Sequence, residues 1–377
     1  MNMLASNIVK QVESVPDLIR NHFDELDTLV RRVLDFNEFL SVKRIVITGC
    51  GDSYMAGLAA ELAFEQIARV PTEPLSAMTA GRYAAPNFDQ MFPRNPLVIG
   101  ISASGTVART REALLLSRAA GALTLAITGN PTSPLASIAE KILPCIVPDF
   151  APAPGVRSYR MSLLALYLLA IRIAEIRTIL SQDQANELRR QLKACSDAIE
   201  QTIGATSKPA RALAAEVAGN RDFVFVGDGP NYATALFSAA KLIEAAGRHA
   251  IGQDTEEWAH LQYFVNVDRV TPTFLISPGG RGHARAAELL EPMKRIGRTV
   301  VAVVPQGDSL IGGKADWVLP VVGEVPEIFS PLVYAIAGEL FSAYFSEIVG
   351  EPPFRGFAAE YADGGNTIKT SAVVDTI

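Results

Sequence analysis

The chain has 377 residues, 49% hydrophobic and 20% charged, with a formal net charge of −6. That length excludes a single small module, the composition excludes a disordered chain, and an acidic balance without a Lys/Arg run excludes a nucleic-acid binder. Cys50, Cys145 and Cys195 have neither CxxC nor metal-ligand spacing, so they read as small buried hydrophobes in a reducing compartment, and no metal or organic cofactor is expected.

In chain order, apolar positions at helical spacing from about Ile8 to Leu40 predict one or two amphipathic helices, set apart as residues 1–40. No charged region followed by an apolar run opens the chain, so no signal peptide is expected. Arg44 to Thr48 predicts a strand, followed by the turn Gly49-Cys50-Gly51-Asp52-Ser53 and a helix over Tyr54 to Ile67. A strand, glycine turn and helix could open a nucleotide-binding unit, but Met55 occupies the third glycine position of that fingerprint, which excludes NAD.

Leu97 to Ile101 is an apolar run that reads as a strand buried on both faces, and helical spacing resumes at Arg111. Between them lies Ser102-Ala103-Ser104-Gly105-Thr106-Val107, rich in hydroxyls. Unpaired amides at a helix start, hydroxyl donors and a glycine suit the turn to an anion, most commonly phosphate. The plainer alternative is that Ser104 or Thr106 only caps the helix. Further strands are predicted at Leu123 to Thr128 and Ile142 to Val147, and residues 151–204 are mainly helical. Within them Met161 to Ile171 is about half a bilayer span, so it reads as a buried helix and no membrane association is expected.

From Arg221 the pattern starts over. Asp222 to Asn231 repeats Arg44 to Ser53, and Thr273 to Gly280 repeats the Leu97 strand and its turn. Thr299 to Val304 and Trp317 to Pro320 match the two later strands. Landmarks in the same order at near-constant offset indicate internal duplication. Strands alternating with helices predict parallel sheets covered on both faces, hence an α/β fold of two duplicated three-layer α/β/α subdomains. The expected limits are 41–204 for the first with its connecting helices, 205–350 for the second and 351–377 for a C-terminal tail. The second turn, Pro278-Gly279-Gly280-Arg281, has lost most hydroxyls, so one anion site is expected, in the first half. In the second half Lys241 and Glu244 share a helix face, which also describes a surface ion pair, and His260 also fits a hydrogen-bonded helix end.

The GCGDS turn, the SASGT loop, the doubled unit, and Lys241-Leu-Ile-Glu244 followed sixteen residues later by His260 resemble the double sugar-isomerase (SIS) domain family, which includes the isomerase half of glucosamine-6-phosphate synthase and amino-sugar phosphate deaminases. The resemblance covers the chain from about residue 35 onward. It implies a phosphorylated sugar as substrate, with its phosphate held by Ser53, Ser102, Ser104 and Gly105 and with Gly51, Thr106 and Ser158 also lining the site. It further implies that Glu244 moves a proton between C1 and C2 beside Lys241, and that His260 opens the ring from the partner subunit of a homodimer with shared active sites. Lys369, in a tail Asn366-Thr367-Ile368-Lys369-Thr370 that resembles the family's closing segment, would form an imine with the ketose. Departures fall at Ala103, Val107, Ala153 and Phe237, where the family carries a glutamine, a threonine and two glutamates. Met1 is not followed by a cysteine, so glutamine is not expected as the ammonia source. The expected reaction is therefore breakdown, an isomerisation with deamination of a phosphorylated amino sugar. Alternatives are a fructosamine-phosphate deglycase, a nitrogen-free sugar-phosphate isomerase, or a sugar-phosphate sensor without catalysis.

Overall fold

The structure, a computed structural model, describes residues 4–88, 94–265 and 270–357. The described residues fall into two compact units. One comprises Ile19–Asp149 and Ser158–Lys193, and the other comprises the residues through Leu18, Phe150–Arg157 and Ala194–Phe357.

The chain opens with helices α1 (Ala5–Glu13), α2 (Val15–Val30) and α3 (Phe36–Ser41). There follow β1 (Ile45–Gly49), α4 (Asp52–Ala63), β2 (Thr72–Ser76), β3 (Leu97–Ile101), α5 (Ala108–Ala119), β4 (Leu123–Thr128), α6 (Pro134–Ile138) and β5 (Lys141–Pro144). The five strands form one all-parallel sheet in the order β2-β1-β3-β4-β5. β1, β3 and β4 are buried at every position, which is why they read as unbroken apolar runs. Helices α7 (Arg157–Ile176) and α8 (Gln182–Glu216) come next, and α8 runs unbroken through residue 204, with Pro209 in its interior.

The second sheet repeats the first. β6 (Asp222–Gly227), α9 (Pro230–Ala246), β7 (His249–Asp254), α10 (Thr255–His260), β8 (Pro272–Ile276), α11 (His283–Glu288), α12 (Leu290–Arg295), β9 (Thr299–Pro305) and β10 (Trp317–Val321) precede α13 (Pro331–Val349). The strands are again all parallel, in the order β10-β9-β8-β6-β7. This is the three-layer α/β/α arrangement expected from the alternation of strands and helices. The duplication extends to single dihedral angles: Gly51 has φ 56°, ψ −127° and Gly229 has φ 50°, ψ −131°, each starting the helix after the first strand of its sheet. Side chains rarely adopt such angles, so glycine is required at both turns.

Two strands were invisible in the sequence. β2 carries Glu73 and Pro74, and β7 carries Gly252; both are edge strands, where missing ladder bonds and polar residues are tolerated and no apolar pattern is needed. α13 is long and apolar enough to cross a membrane by composition, but 83% of that window is buried inside the fold, and α13 packs against α9 and α1.

The entrance to the first sheet is held electrostatically. Asp35 and Glu38 form a capping box at α3, with Asp35 Oδ1 accepting from the Glu38 amide and Glu38 Oε2 from the Asp35 amide, both at 2.8 Å. Glu38 also meets Arg94 Nη2 and Lys141 Nζ, each at 2.7 Å. Burial pushes the Glu38 carboxyl up, but Lys141, the Asp35 amide and Arg94 outweigh it and hold the group below its ordinary 4.5. A carboxyl with a depressed folded-state pKa adds stability that is present above 4.5 and lost as pH falls through the lower folded value. Glu38→Gln is therefore expected to destabilise by about 1–3 kcal/mol at neutral pH. The difference from wild type should shrink as pH falls below 4.5 in denaturant melts, and a pH-independent difference would contradict this assignment.

Candidate active site

In a sheet ordered 2-1-3-4-5 the connections reverse direction between the first and third strands, and the crevice opened there beyond the strand ends is the standard ligand position. In the first sheet that crevice lies between the GCGDS turn after β1 and the SASGT loop after β3. The end of β1 is tightly packed, since a side chain on Gly49 would meet Ser53 Cβ at 2.6 Å and Ile101 O, at the end of β3, at 3.0 Å.

The loop is shaped by its own bonds. Ser102 continues the sheet through its amide to Ile127 O (3.1 Å), and its Oγ accepts from the Gly105 amide at 3.1 Å. Gly105 has φ +66°. The hydroxyls of Ser104 and Thr106 lie 2.9 Å apart, on residues exposed to solvent, whereas Ser102 is buried. Neither hydroxyl caps α5: its N-cap is Val107, which makes no side-chain capping bond, and the helix starts at Ala108, three residues before the expected Arg111. The plain capping alternative is thereby removed, and both hydroxyls face outward at a helix start where anions are favoured.

Just beyond, at the second position of α5, Arg109 pairs through Nη1 with Glu112, whose other oxygen takes Arg82 Nε at 2.5 Å. Thr110 Oγ1 reaches Cys50 Sγ at 3.8 Å. Unlike Cys145 and Cys195, Cys50 is exposed and not the buried residue expected from the sequence; partial desolvation still pushes its thiol up, opposed by the Thr110 hydroxyl and the charge of Arg109.

The corresponding crevice of the second sheet is differently furnished. Glu327 Oε1 accepts from the Arg281 amide at 3.1 Å, and its carboxylate lies against Gly280, while Asp228 lies against Gly282. Burial pushes the Asp228 carboxyl up, eased by the Thr255 hydroxyl but reinforced by Asp254 and Glu327. Two carboxylates repel an anion. Ser277, the counterpart of Ser102, has its Oγ 2.8 Å from His283 Nδ1, and His283 Nε2 lies 2.9 Å from Asp308 Oδ2. Burial pushes the Asp308 carboxyl up, but the Gly312 and Ile311 amides and His283 hold it low. Asp308 thus accepts from the imidazole at Nε2, and the Ser277 hydroxyl is engaged at Nδ1. With Ser277 only 2% exposed, the three residues form a latch between the loops after β8 and β9, and the hydroxyl is committed to it.

On α9 of the same unit, Lys241 Nζ pairs with Glu244 Oε2 and also donates to Gly155 O at 3.3 Å. It lies 4.8 Å from the centre of the Phe237 ring. The side chain of Lys241 is 1% exposed and that of Glu244 29%, so this is a half-buried pair and not the surface ion pair that spacing also allowed. The buried ammonium thus holds in place a carboxylate that solvent, or a bound molecule, can still reach.

Of the residues singled out in the sequence, Ser102, Ser104, Gly105 and Thr106 lie together in one loop, with Gly51 and Ser53 in the turn beside it. Ser158 is half-buried in the first turn of α7. Lys241 and Glu244 are in contact. His260 has a different partnership: it ends α10, its side chain is 68% exposed, and its Nε2 lies 3.4 Å from Glu256 Oε1. Lys369 and the tail around it lie outside the described residues. The Arg82, Arg109 and Glu112 cluster and the His283–Asp308 latch were missed; only the i, i+3 spacing of Arg109 and Glu112 left a trace in the sequence.

Comparison with known proteins finds relatives over most of the chain. The chain is 27% identical over 343 residues to glutamine–fructose-6-phosphate aminotransferase (isomerizing) of Gloeobacter violaceus, a match covering 90% of this chain and 55% of that protein. The chain thus spans about half the length of the curated relatives it matches. Among solved structures, the C-terminal domain of glucosamine-fructose-6-phosphate aminotransferase from Francisella tularensis superposes with a TM-score of 0.77 at 20% identity, covering 92% of this chain and 97% of that one. Glucosamine-6-phosphate deaminase from Thermotoga maritima gives 0.67 at 20% identity, covering 93% and 97%. Residues 38–172 match the SIS domain family. The chain therefore contains a SIS domain and is homologous to the isomerase domain of glutamine–fructose-6-phosphate aminotransferase.

Proposed function

We propose that the protein is an aldose–ketose isomerase of a phosphorylated amino sugar that releases the amine, resembling glucosamine-6-phosphate deaminase in its reaction. The observation that carries the reading is the half-buried Lys241–Glu244 pair. Isomerisation needs one base on one face of a planar intermediate. Glu244 takes the proton from the carbon beside the carbonyl as the electron pair of that C–H bond moves into the carbon–carbon double bond of the enediol or enolamine. It then returns the proton to the neighbouring carbon while the former carbonyl oxygen is protonated to a hydroxyl, and water adds to the imine so formed at the amine-bearing carbon and breaks its C–N bond, leaving the ketose and the free amine. Lys241 holds Glu244 in position. The loop residues Ser102, Ser104, Gly105 and Thr106 receive the phosphate, with Gly51, Ser53 and Ser158 as further lining. His260, supplied by a second copy in a homodimer, opens the ring, and Lys369 forms an imine that draws electrons from the reacting carbons.

Incubation with glucosamine-6-phosphate, galactosamine-6-phosphate and fructosamine-type phosphates, assayed for ketose phosphate and for ammonia or free amine, tests the reading. Turnover of one of them is expected. Ser104→Ala is expected to raise KM about tenfold while changing kcat little, as loss of a hydrogen bond to a charged group should. A protein that binds these compounds and shifts with them but converts none would be a sensor. One that binds none would remove the proposal altogether.

A further inference from the structure

The phosphate loop carries no charge of its own. Residues 102–107 are Ser, Ala, Ser, Gly, Thr and Val, and two of the three hydroxyls are engaged with each other at 2.9 Å. A phosphate ester brings nearly two negative charges and three strong acceptor oxygens. The first cation after the loop is Arg109, at the second position of the helix that the loop opens.

Arg109 is held by Glu112, and Glu112 is held twice. Its carboxylate side chain is 2% exposed, with Arg82 Nε on one oxygen at 2.5 Å and Arg109 Nη1 on the other. A buried carboxylate must keep a counter-charge, but one guanidinium is enough to prevent an uncompensated buried charge. Arg82, arriving from the segment before β3, supplies it. Arg109 can therefore leave Glu112 without stranding it, and its planar fork matches phosphate oxygens in pairs.

We infer that Arg109 is a specificity-determining residue of the phosphate site. It turns from Glu112 onto the phosphoryl group of the bound sugar while Arg82 continues to neutralise Glu112, and it selects dianionic phosphate esters over neutral sugars. The inference rests on the proposed function, since it assumes that the SASGT loop receives a phosphate.

Calorimetric titration of fructose-6-phosphate and glucosamine-6-phosphate into wild type, Ser104→Ala, Arg109→Ala, Arg109→Lys and Arg82→Lys tests it. Arg109→Ala is expected to raise Kd by about tenfold or more and to flatten the dependence of log Kd on log salt concentration. Arg109→Lys should keep the salt dependence and part of the affinity. Arg82→Lys, a weaker partner for Glu112, should also weaken binding because Arg109 is then needed where it is; a purely structural Arg109 would not produce this effect. Melting temperatures close to wild type show that the variants are folded, and Arg109→Lys serves as the test if Arg109→Ala is not. If Ser104→Ala weakens binding while Arg109→Ala binds like wild type with the same salt dependence, the inference falls and the phosphate reading stands. If wild type binds neither sugar phosphate, both fall.

Discussion

Replacing Glu244 by Gln is expected to lower kcat/KM on a phosphorylated sugar by about 10²–10⁴-fold, with substrate Kd nearly unchanged. Gln preserves the size of the side chain and can still accept from Lys241 Nζ through its amide oxygen, but it cannot take a proton from carbon. The loss should appear in kcat, because the proton is transferred only in the transition state. Deuterium at the transferring carbon should exchange with solvent in wild type, and that exchange should disappear in the variant. Lys241 is nearly fully buried, so Glu244→Gln also removes the charge opposite a desolvated ammonium, and some loss of thermal stability should accompany the kinetic effect. Turnover equal to wild type would remove Glu244 from the chemistry and with it the isomerase reading.

The second large effect is expected at Gly105. An added Cβ would lie 2.0 Å from Ser133 Oγ and 2.3 Å from Ser133 Cβ, at a φ of +66° that side chains rarely adopt. Ser133 has no room to retreat: its Oγ accepts from the Ala136 amide at 3.3 Å as the N-cap of α6. The Leu135 amide is tied to Gly105 O and the Gly129 amide to Ala103 O, both at 3.0 Å. Gly105→Ala therefore forces the loop and the start of α6 apart. The expected cost is about 2–4 kcal/mol in denaturant melts, together with loss of measurable sugar-phosphate binding where the protein remains folded. Gly51→Ala is the control, since nothing lies within 4 Å of an added Cβ there and only the backbone conformation is penalised. A Gly105→Ala protein as stable as wild type would mean that the loop relaxes freely and is not a preformed anion seat.

The crevices of the two halves differ by a few substitutions within one architecture. The first crevice has outward hydroxyls and a nearby arginine. The second has Asp228 and Glu327 at its glycines and a hydroxyl occupied by His283. Loss of hydroxyls in Pro278-Gly279-Gly280-Arg281 was legible as an absence, but the carboxylates that replace the anion come from positions 49 or more residues from the loop's first serine, beyond any local pattern.

The sequence alone determined whatever depends on local backbone geometry. Buried parallel strands are mostly apolar, the helix-opening turns at Gly51 and Gly229 need glycine, and residues three apart on a helix lie on one face, so β1, β3, β4, their counterparts, the duplication, the SASGT loop and the Lys241–Glu244 pair could all be read in advance. The tertiary structure decided whatever depends on which distant surfaces bury one another. It placed α1 in the unit of the second sheet, where Asn7 and Gln11 donate to Pro152 O and Ala151 O at 3.0 and 2.8 Å, and it brought Gly155 O onto Lys241. It also formed the polar edge strands β2 and β7, joined Arg82 to Glu112 across thirty residues, and set His283 against Asp308. These pairings leave no periodic trace because each is fixed by the desolvation of one buried polar group by another, and the chain can supply that partner from any point the fold brings near.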